Sequence, residues 1–202
     1  MKRRLLLAAG LLFATGGLNV WAQTTPPMRI RGTVASVTGN VLSVKARDGK
    51  MLDIVLPDAL AVGSVKKVEL SDVPVGAFIG TATRTGADGK NVAIEVLVFP
   101  EAARGTGEGN YPWDLEPGSM MTNGTIKGAV TASAGRELSI SYKDSGNSVT
   151  VPPGTPVVTF APAAREDLKA GAAVFAVAKK EDDGKLTALR VVVEKDGVKP
   201  PM

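Results

Sequence analysis

Gly32-Thr33-Val34 is echoed by Gly124-Thr125-Ile126, Leu42-Ser43-Val44 by Leu138-Ser139-Ile140, and Leu52 to Pro57 by Ser148 to Pro152. Val75-Gly76-Ala77 is echoed by Ala170-Gly171-Ala172. The longest echo sets Asp88-Gly89-Lys90-Asn91-Val92-Ala93-Ile94-Glu95-Val96-Leu97-Val98 against Asp183-Gly184-Lys185-Leu186-Thr187-Ala188-Leu189-Arg190-Val191-Val192-Val193. The offset is 92 residues at the first echo (32 to 124) and 95 at the last (88 to 183), so one small insertion preserves the order. An internal duplication constrains the fold more than any single motif, because whatever supersecondary unit one half specifies the other must also specify. Residues 105–123 lie between the copies and hold Trp113, the only tryptophan besides Trp21.

The repeated unit is a set of strands. Apolar and polar residues alternate in short runs broken by Gly, Asn-Gly and Asp-Gly, which is period-2 rather than helical patterning. In the first half this predicts strands at 29–37, 41–47, 51–56, 65–70, 77–84 and 92–99. Leu42, Val44 and Ala46 share one face, as do Leu52, Ile54 and Leu56, and the last strand presents Val92, Ile94, Val96 and Val98 to the core. Leu97, Phe99 and Val192 fall on the opposite strand face and are expected to form a seam between the halves. Asp88-Gly89 supplies the positive φ of a hairpin turn. One helix is predicted at 162–169, with Pro162 near its start and Gly171 beyond its end. The corresponding stretch 71–76 contains Pro74 and reads as a turn. Closing so small an antiparallel sheet removes its exposed edges. The expectation is therefore an all-β chain of two tandem small OB-like β-barrels, each of five to six strands with at most one short helix. They would occupy 23–101 and 124–202, joined by a Gly/Pro-bounded aromatic linker at 102–123.

Residues 1–22 read as a secretory signal peptide, with Lys2, Arg3 and Arg4, an apolar run from Leu5 to about Leu18, and Val20 and Ala22 at the small-residue positions. The implied location is the periplasm. Of 24 Lys and Arg, three lie in this leader, leaving 21 against 20 Asp and Glu. A balanced body argues against nucleic acid and anionic lipid as partners. No stretch of the body is long and apolar enough to span a bilayer, so no stable membrane insertion is expected after leader cleavage. There is no histidine and no cysteine, which excludes His-dependent triads, His metal ligands and disulfide staples.

The Gly-Thr-Val start, the hairpin, the turn Leu168-Lys169-Ala170-Gly171 followed by a strand, and Asp-Gly-Lys before a long apolar strand together resemble the OB-like barrel repeats of bacterial exported proteins of unknown function. With Tyr111-Pro112-Trp113-Asp114-Leu115 and Met121-Thr122-Asn123 included, the chain also resembles small exported proteins sometimes labelled metal transporter permease. A permease needs several spanning helices, and the body offers none. The resemblance covers about residues 28–198 and implies the barrel fold and export. It carries over no catalytic residue and no cofactor.

The linker is the candidate site. Tyr111 and Trp113 are amphipathic rings near Asp114, Met120 and Met121, a set suited to a small ligand or an envelope protein partner. A second reading makes Trp113 and Leu115 plugs in the seam, with Pro112 and Pro117 stiffening the crossing. Met120, Met121 and Trp113 are also the residue types of a copper(I) site, although neighbouring residues of an extended segment point to opposite sides. A carboxylate-based hydrolase would need a convergent pair such as Glu108 with Asp114. Gly105-x-Gly107-x-Gly109 leads to no helix and reads as a hinge. Ser64-Val65-Lys66-Lys67 lacks the companion motifs of Ser-x-x-Lys enzymes. Glu181-Asp182-Asp183 is a solvated hairpin tip. The expected function is non-catalytic binding or scaffolding without a cofactor.

Overall fold

The computed structural model describes residues 26–132 and 135–201, so the expected leader at 1–22 lies outside the described residues. The chain is all-β. Six strands precede the linker: β1 (Met28–Thr38), β2 (Val41–Ala46), β3 (Met51–Val55), β4 (Val62–Lys67), β5 (Phe78–Thr85) and β6 (Asn91–Val98). A short β7 (Gly109–Pro112) lies within it, and six more follow: β8 (Met120–Ala132), β9 (Gly135–Tyr142), β10 (Ser145–Val151), β11 (Val157–Pro162), β12 (Ala173–Lys180) and β13 (Leu186–Val193). The strands fall where the alternation and turn residues place them, with β4 starting earlier than read. The helix at 162–169 does not form. Pro162 ends β11, and a three-residue 3-10 turn, Arg165–Asp167, takes its place, matched in the first half by Leu70–Asp72. A helical nucleus fixes many dihedrals for its first hydrogen bond, and two turns between strands are too short to recover that cost.

The pairings give an arrangement that is not tandem. Strands β1, β2 and β3 form an antiparallel meander, and β1 also pairs with β12, which pairs with β13. Leu186 and Thr187 of β13 then meet Ile54 and Val55 of β3 in parallel, closing a five-stranded barrel. The same scheme joins β8, β9 and β10 to β5 and β6, where Val149 and Thr150 of β10 meet Asn91 and Val92 in parallel. Each three-strand meander is thus closed by the hairpin of the other half. The second ring is contiguous along the chain from β5 to β10, whereas the first is assembled from the two ends. Residues 102–123 consequently separate the sequence copies but not the rings, for both β6 and β8 belong to the second ring.

The duplication persists in detail. The β1–β2 ladder shifts register between Val34 and Ser36, and the β8–β9 ladder between Ile126 and Gly128, 92 residues on (34 to 126). The closing hairpins shift between Ala82 and Thr83 and between Val177 and Ala178, 95 residues on (82 to 177). These bulges leave Ile94 and Leu189 without partners and change which residues face inward. The core of the second ring takes Ala93 and Val96, with Val98 packed against it, instead of the expected Val92, Ile94, Val96 and Val98. Leu189 is correspondingly exposed. Gly32 and Gly124 sit where β1 and β8 cross closely over the next strand, and a Cβ on either would fall within 3 Å of the carbonyl of Lys45 or Ser141. The first core is built on Val34, Leu42, Val44, Ile54 and Leu56, and the second on Ile79, Ile126, Leu138, Ile140 and Val149. Each such side chain gains about 1.5–3 kcal/mol by leaving water.

Two strands connect the rings. β4 pairs in parallel with β13 and antiparallel with β11, and β11 pairs in parallel with β6. The outer faces of the rings and the two connecting strands bury Val65, Leu97, Val158, Phe175 and Val192 against each other, with Phe99 and Phe160 packed alongside. The expected seam residues Leu97, Phe99 and Val192 all lie in this third cluster. Phe99 makes edge-on contacts with Phe78 and Phe160, at centroid separations of 5.4 and 5.9 Å. Because the chain has no cysteine, the exchange can be tested by crosslinking. Thr33 and Ala173 are partners in the β1–β12 ladder. Thr33→Cys with Ala173→Cys should form an intramolecular disulfide, seen as a faster non-reduced band, while Thr33→Cys with Phe78→Cys, the pair a tandem fold would bring together, should not.

Candidate functional site

After β6 a 3-10 turn, Glu101–Ala103, leads to Arg104, whose guanidinium donates to Glu101, to the Gly76 carbonyl at 2.9 Å and to Thr125 at 3.2 Å. β7 then pairs with the first residues of β8, Gly109 with Asn123 through Pro112 with Met120. Met120 to Asn123 are therefore strand residues, hydrogen-bonded to β5 as well. A chain of side chains ties β7 inward: Asn91 to Asn147 (2.7 Å), Asn147 to Thr122 (3.2 Å) and Thr122 to Asn110 (3.1 Å). Beyond β7 the chain leaves its own ring as a loop, 113–119, reaching β1. Buried Ser119 stitches the loop: its backbone carbonyl accepts from Trp113 N–H at 2.8 Å, and its Oγ lies 3.1 and 2.8 Å from the Trp113 and Glu116 carbonyls.

This loop is a strap. The Arg29 guanidinium stacks 4.0 Å from the Trp113 ring centroid, and Tyr111 meets the same ring edge-on at 6.1 Å. Asp114 accepts from Arg31 Nη2 at 2.9 Å and lies 3.9 Å from Arg29, and the Leu115 carbonyl accepts from Arg47. A cation-π contact of this kind contributes about 0.5–2 kcal/mol and a half-exposed ion pair about 0.2–1 kcal/mol. These polar contacts of the strap with β1 contribute a few kcal/mol, and Glu116 adds a contact with Arg84 at 3.8 Å.

Under the strap, between the rings, is a cavity of about 110 Å³ lined by Gly80, Glu95, Asn123, Trp113, Met121 and Phe175, with Leu97, Phe99, Thr106, Val177 and Arg190 completing it. Its origin is a departure from the internal symmetry. Gly80 stands where the other half has Phe175, Glu95 where it has Arg190, and Asn123 where it has Arg31. A Cβ on Gly80 would sit 2.5 Å from Asn123 Oδ1 and 3.0 Å from the Phe99 ring, so a side chain here would displace the amide. Asn123 is oriented by donating from Nδ2 to the Thr106 carbonyl and to Tyr111 Oη, both at 3.1 Å. That leaves Asn123 Oδ1 buried without a partner, and Glu95 Oε2 and Trp113 Nε1 are in the same condition. The remaining unpartnered buried side-chain atom among the described residues, Arg31 Nε, belongs to the guanidinium that stacks on Trp113 and Phe175. Orphaned polar atoms each cost about 1–3 kcal/mol and are rare in native interiors. Three of the four belong to residues that line this cavity.

Glu95 is 1% exposed. Desolvation pushes its carboxyl up to about 7, against the smaller opposing pull of Arg31 and Arg47. The cavity lining contains no second carboxylate and no lysine.

The sequence-predicted residues divide. Trp113 and Met121 line the cavity, and Tyr111 supports it through Asn123. Asp114 clamps the strap from outside. Met120, on the opposite face of β8 from Met121, is not part of the lining. Glu108 accepts from Lys143 N–H on the β9–β10 turn while Asp114 pairs with β1, so these carboxylates serve different elements. Sequence reasoning missed Glu95, Asn123, Gly80 and Phe175. The available signal was a charge, Glu95, in an otherwise apolar run whose repeat carries the opposite charge, Arg190. A larger open groove of about 700 Å³ runs beside Lys67, Arg136 and Pro153, but Arg136 there already donates to the Leu70 carbonyl at 2.6 Å, and no orphaned atom faces it.

Protonation of Glu95 has a stability signature. The unfolded carboxyl releases its proton near 4.5, the folded one near 7, so stability should fall as pH rises between these values and level off above. The displacement corresponds to on the order of 3 kcal/mol. Urea midpoints at pH 4.5 to 8 should show wild type losing ground to Glu95→Gln across that window, and a pH-independent difference would contradict the assignment. Compared with protein-family models, curated proteins and solved structures, the chain matches none.

Proposed function

We propose that this is an exported, periplasmic, non-catalytic binding protein whose two rings are OB-like barrels and whose ligand sits in the seam cavity beneath the Trp113 strap. The observation that carries this reading is that three of the four buried, unpartnered side-chain polar atoms among the described residues belong to Glu95, Trp113 and Asn123, which all line one cavity. A seam whose only task was to hold the rings together would be more stable with those positions apolar, as the neighbouring Leu97, Val158 and Val192 are. The order of pairing supports the OB-like assignment: in each ring a meander is closed by a hairpin, first strand to fourth and third to fifth in parallel. The strap supports reversible access, since side-chain contacts and one backbone carbonyl hold it to β1 and to Arg47 just after β2, with no strand ladder between them.

Glu95 without a second acid or a nucleophile beside it suits recognition rather than hydrolysis. A soft-metal alternative retains Met121 and Trp113, which share the cavity, but not Met120.

The test is retention of a small molecule. The protein purified from envelope extract should carry a low-mass compound, released on denaturation and detected by mass spectrometry, that is lost in Trp113→Ala and Glu95→Leu. Identical small-molecule profiles from wild type and both variants would end this reading and leave the strap as a structural crossing. Copper as the retained species would favour the soft-metal alternative.

A further inference from the structure

We propose that the seam cavity recognises a primary carboxamide carried on a short apolar body, an inference that rests on the binding reading above. The argument is a count of hydrogen-bonding capacity. With Glu95 ionised, the lining residues carry two fully buried unpartnered acceptors, Glu95 Oε2 and Asn123 Oδ1, and one such donor, Trp113 N–H. A primary amide has two N–H donors and one carbonyl acceptor, so one head group can satisfy all three. An alcohol brings a single donor and leaves an acceptor unpaired. A carboxylate brings none.

Charge excludes the other donor-rich head. An ammonium would satisfy both acceptors but leave Trp113 N–H unmet. It would also enter a region where Arg29, Arg31, Arg47 and Arg190 outnumber Glu95 and Asp114. The remaining walls, Leu97, Phe99, Met121, Phe175 and Val177, are apolar and suit a hydrocarbon body. Size sets the length of that body. A volume of about 110 Å³ would hold about three or four waters at liquid density, which is the scale of a small primary amide of three or four carbons.

The experiment uses the exported protein, in which Trp113 is the one tryptophan once residues 1–22 are cleaved, so that Trp113 alone reports. Four probes of one shape are titrated at pH 7.5: isobutyramide, isobutanol, isobutyrate and isobutylammonium, with calorimetry alongside Trp113 emission. Isobutyramide should give a saturable emission shift and bind about tenfold or more tightly than each of the others, the loss that one buried unmet hydrogen bond produces. Glu95→Leu provides the second arm, since it removes a buried carboxylate and should raise stability while abolishing the isobutyramide response. Asn123→Leu should abolish the response too. Tighter binding of any other probe, an unchanged response in Glu95→Leu, or no response to any probe overturns the carboxamide assignment. In the last case a compound retained by wild-type protein and absent from Glu95→Leu would show that only the ligand class has failed, whereas its absence would remove the binding reading as well.

Discussion

Two short parallel contacts decide the architecture. Ile54 and Val55 against Leu186 and Thr187, and Asn91 and Val92 against Val149 and Thr150, are the places where each meander meets the hairpin that closes it. Without them both sheets keep open edges, and an open edge is unpaired backbone that must find water or another chain. Since each contact joins opposite halves of the sequence, neither half completes a barrel from its own strands in this arrangement. The bridging strands β4 and β11 follow from the same exchange. They carry the chain from ring to ring, pair with each other, and bury the apolar seam between them.

The seam is also where the duplication has been spent on something other than packing. Inside the rings the two halves place the same kinds of residue: Val34 and Ile126, Leu42 and Leu138, Val44 and Ile140, Val96 and Val191. Between the rings, Gly80 faces the role of Phe175 and Glu95 that of Arg190. A glycine in place of an aromatic ring creates the space, and a carboxylate in place of a guanidinium gives it an acceptor. The strap exists in one copy only, so just one of the two related positions is roofed by Trp113.

Much of this was legible in the residues. Period-2 alternation located the strands, the Asp-Gly turns located the hairpins, and the face opposite the core correctly nominated Leu97, Phe99 and Val192 for the seam. What could not be read was which hairpin closes which meander. An exchanged partner offers the same backbone edge, the same inward side chains and the same bulge as the local one, so every short-range signal is satisfied either way. The bulges at Ile94 and Leu189 were hidden for a related reason, because a run such as Val92 to Val98, apolar on both faces except at Glu95, does not reveal where alternation slips by one. The linker rings stood out by composition, and Trp113 and Met121 do line the cavity. Glu95 and Asn123 did not stand out, because their significance lies in lacking a partner, which only packing discloses.

The nested path of the chain sets a race during synthesis. β1 to β3 emerge first and must wait for β12 and β13 while the entire second ring is made. During that wait the nearest matching hairpin, β5 and β6, is already present. Capture of that hairpin would give a local isomer with the same ladders, and correcting it later would require opening a closed barrel. Which isomer accumulates is therefore a question of order of arrival as well as depth of minimum, and long-range closure of this kind is intrinsically slow. The strap reaches Arg29 and Arg31 on β1, so the second ring is joined to the first meander by contacts that need neither β12 nor β13.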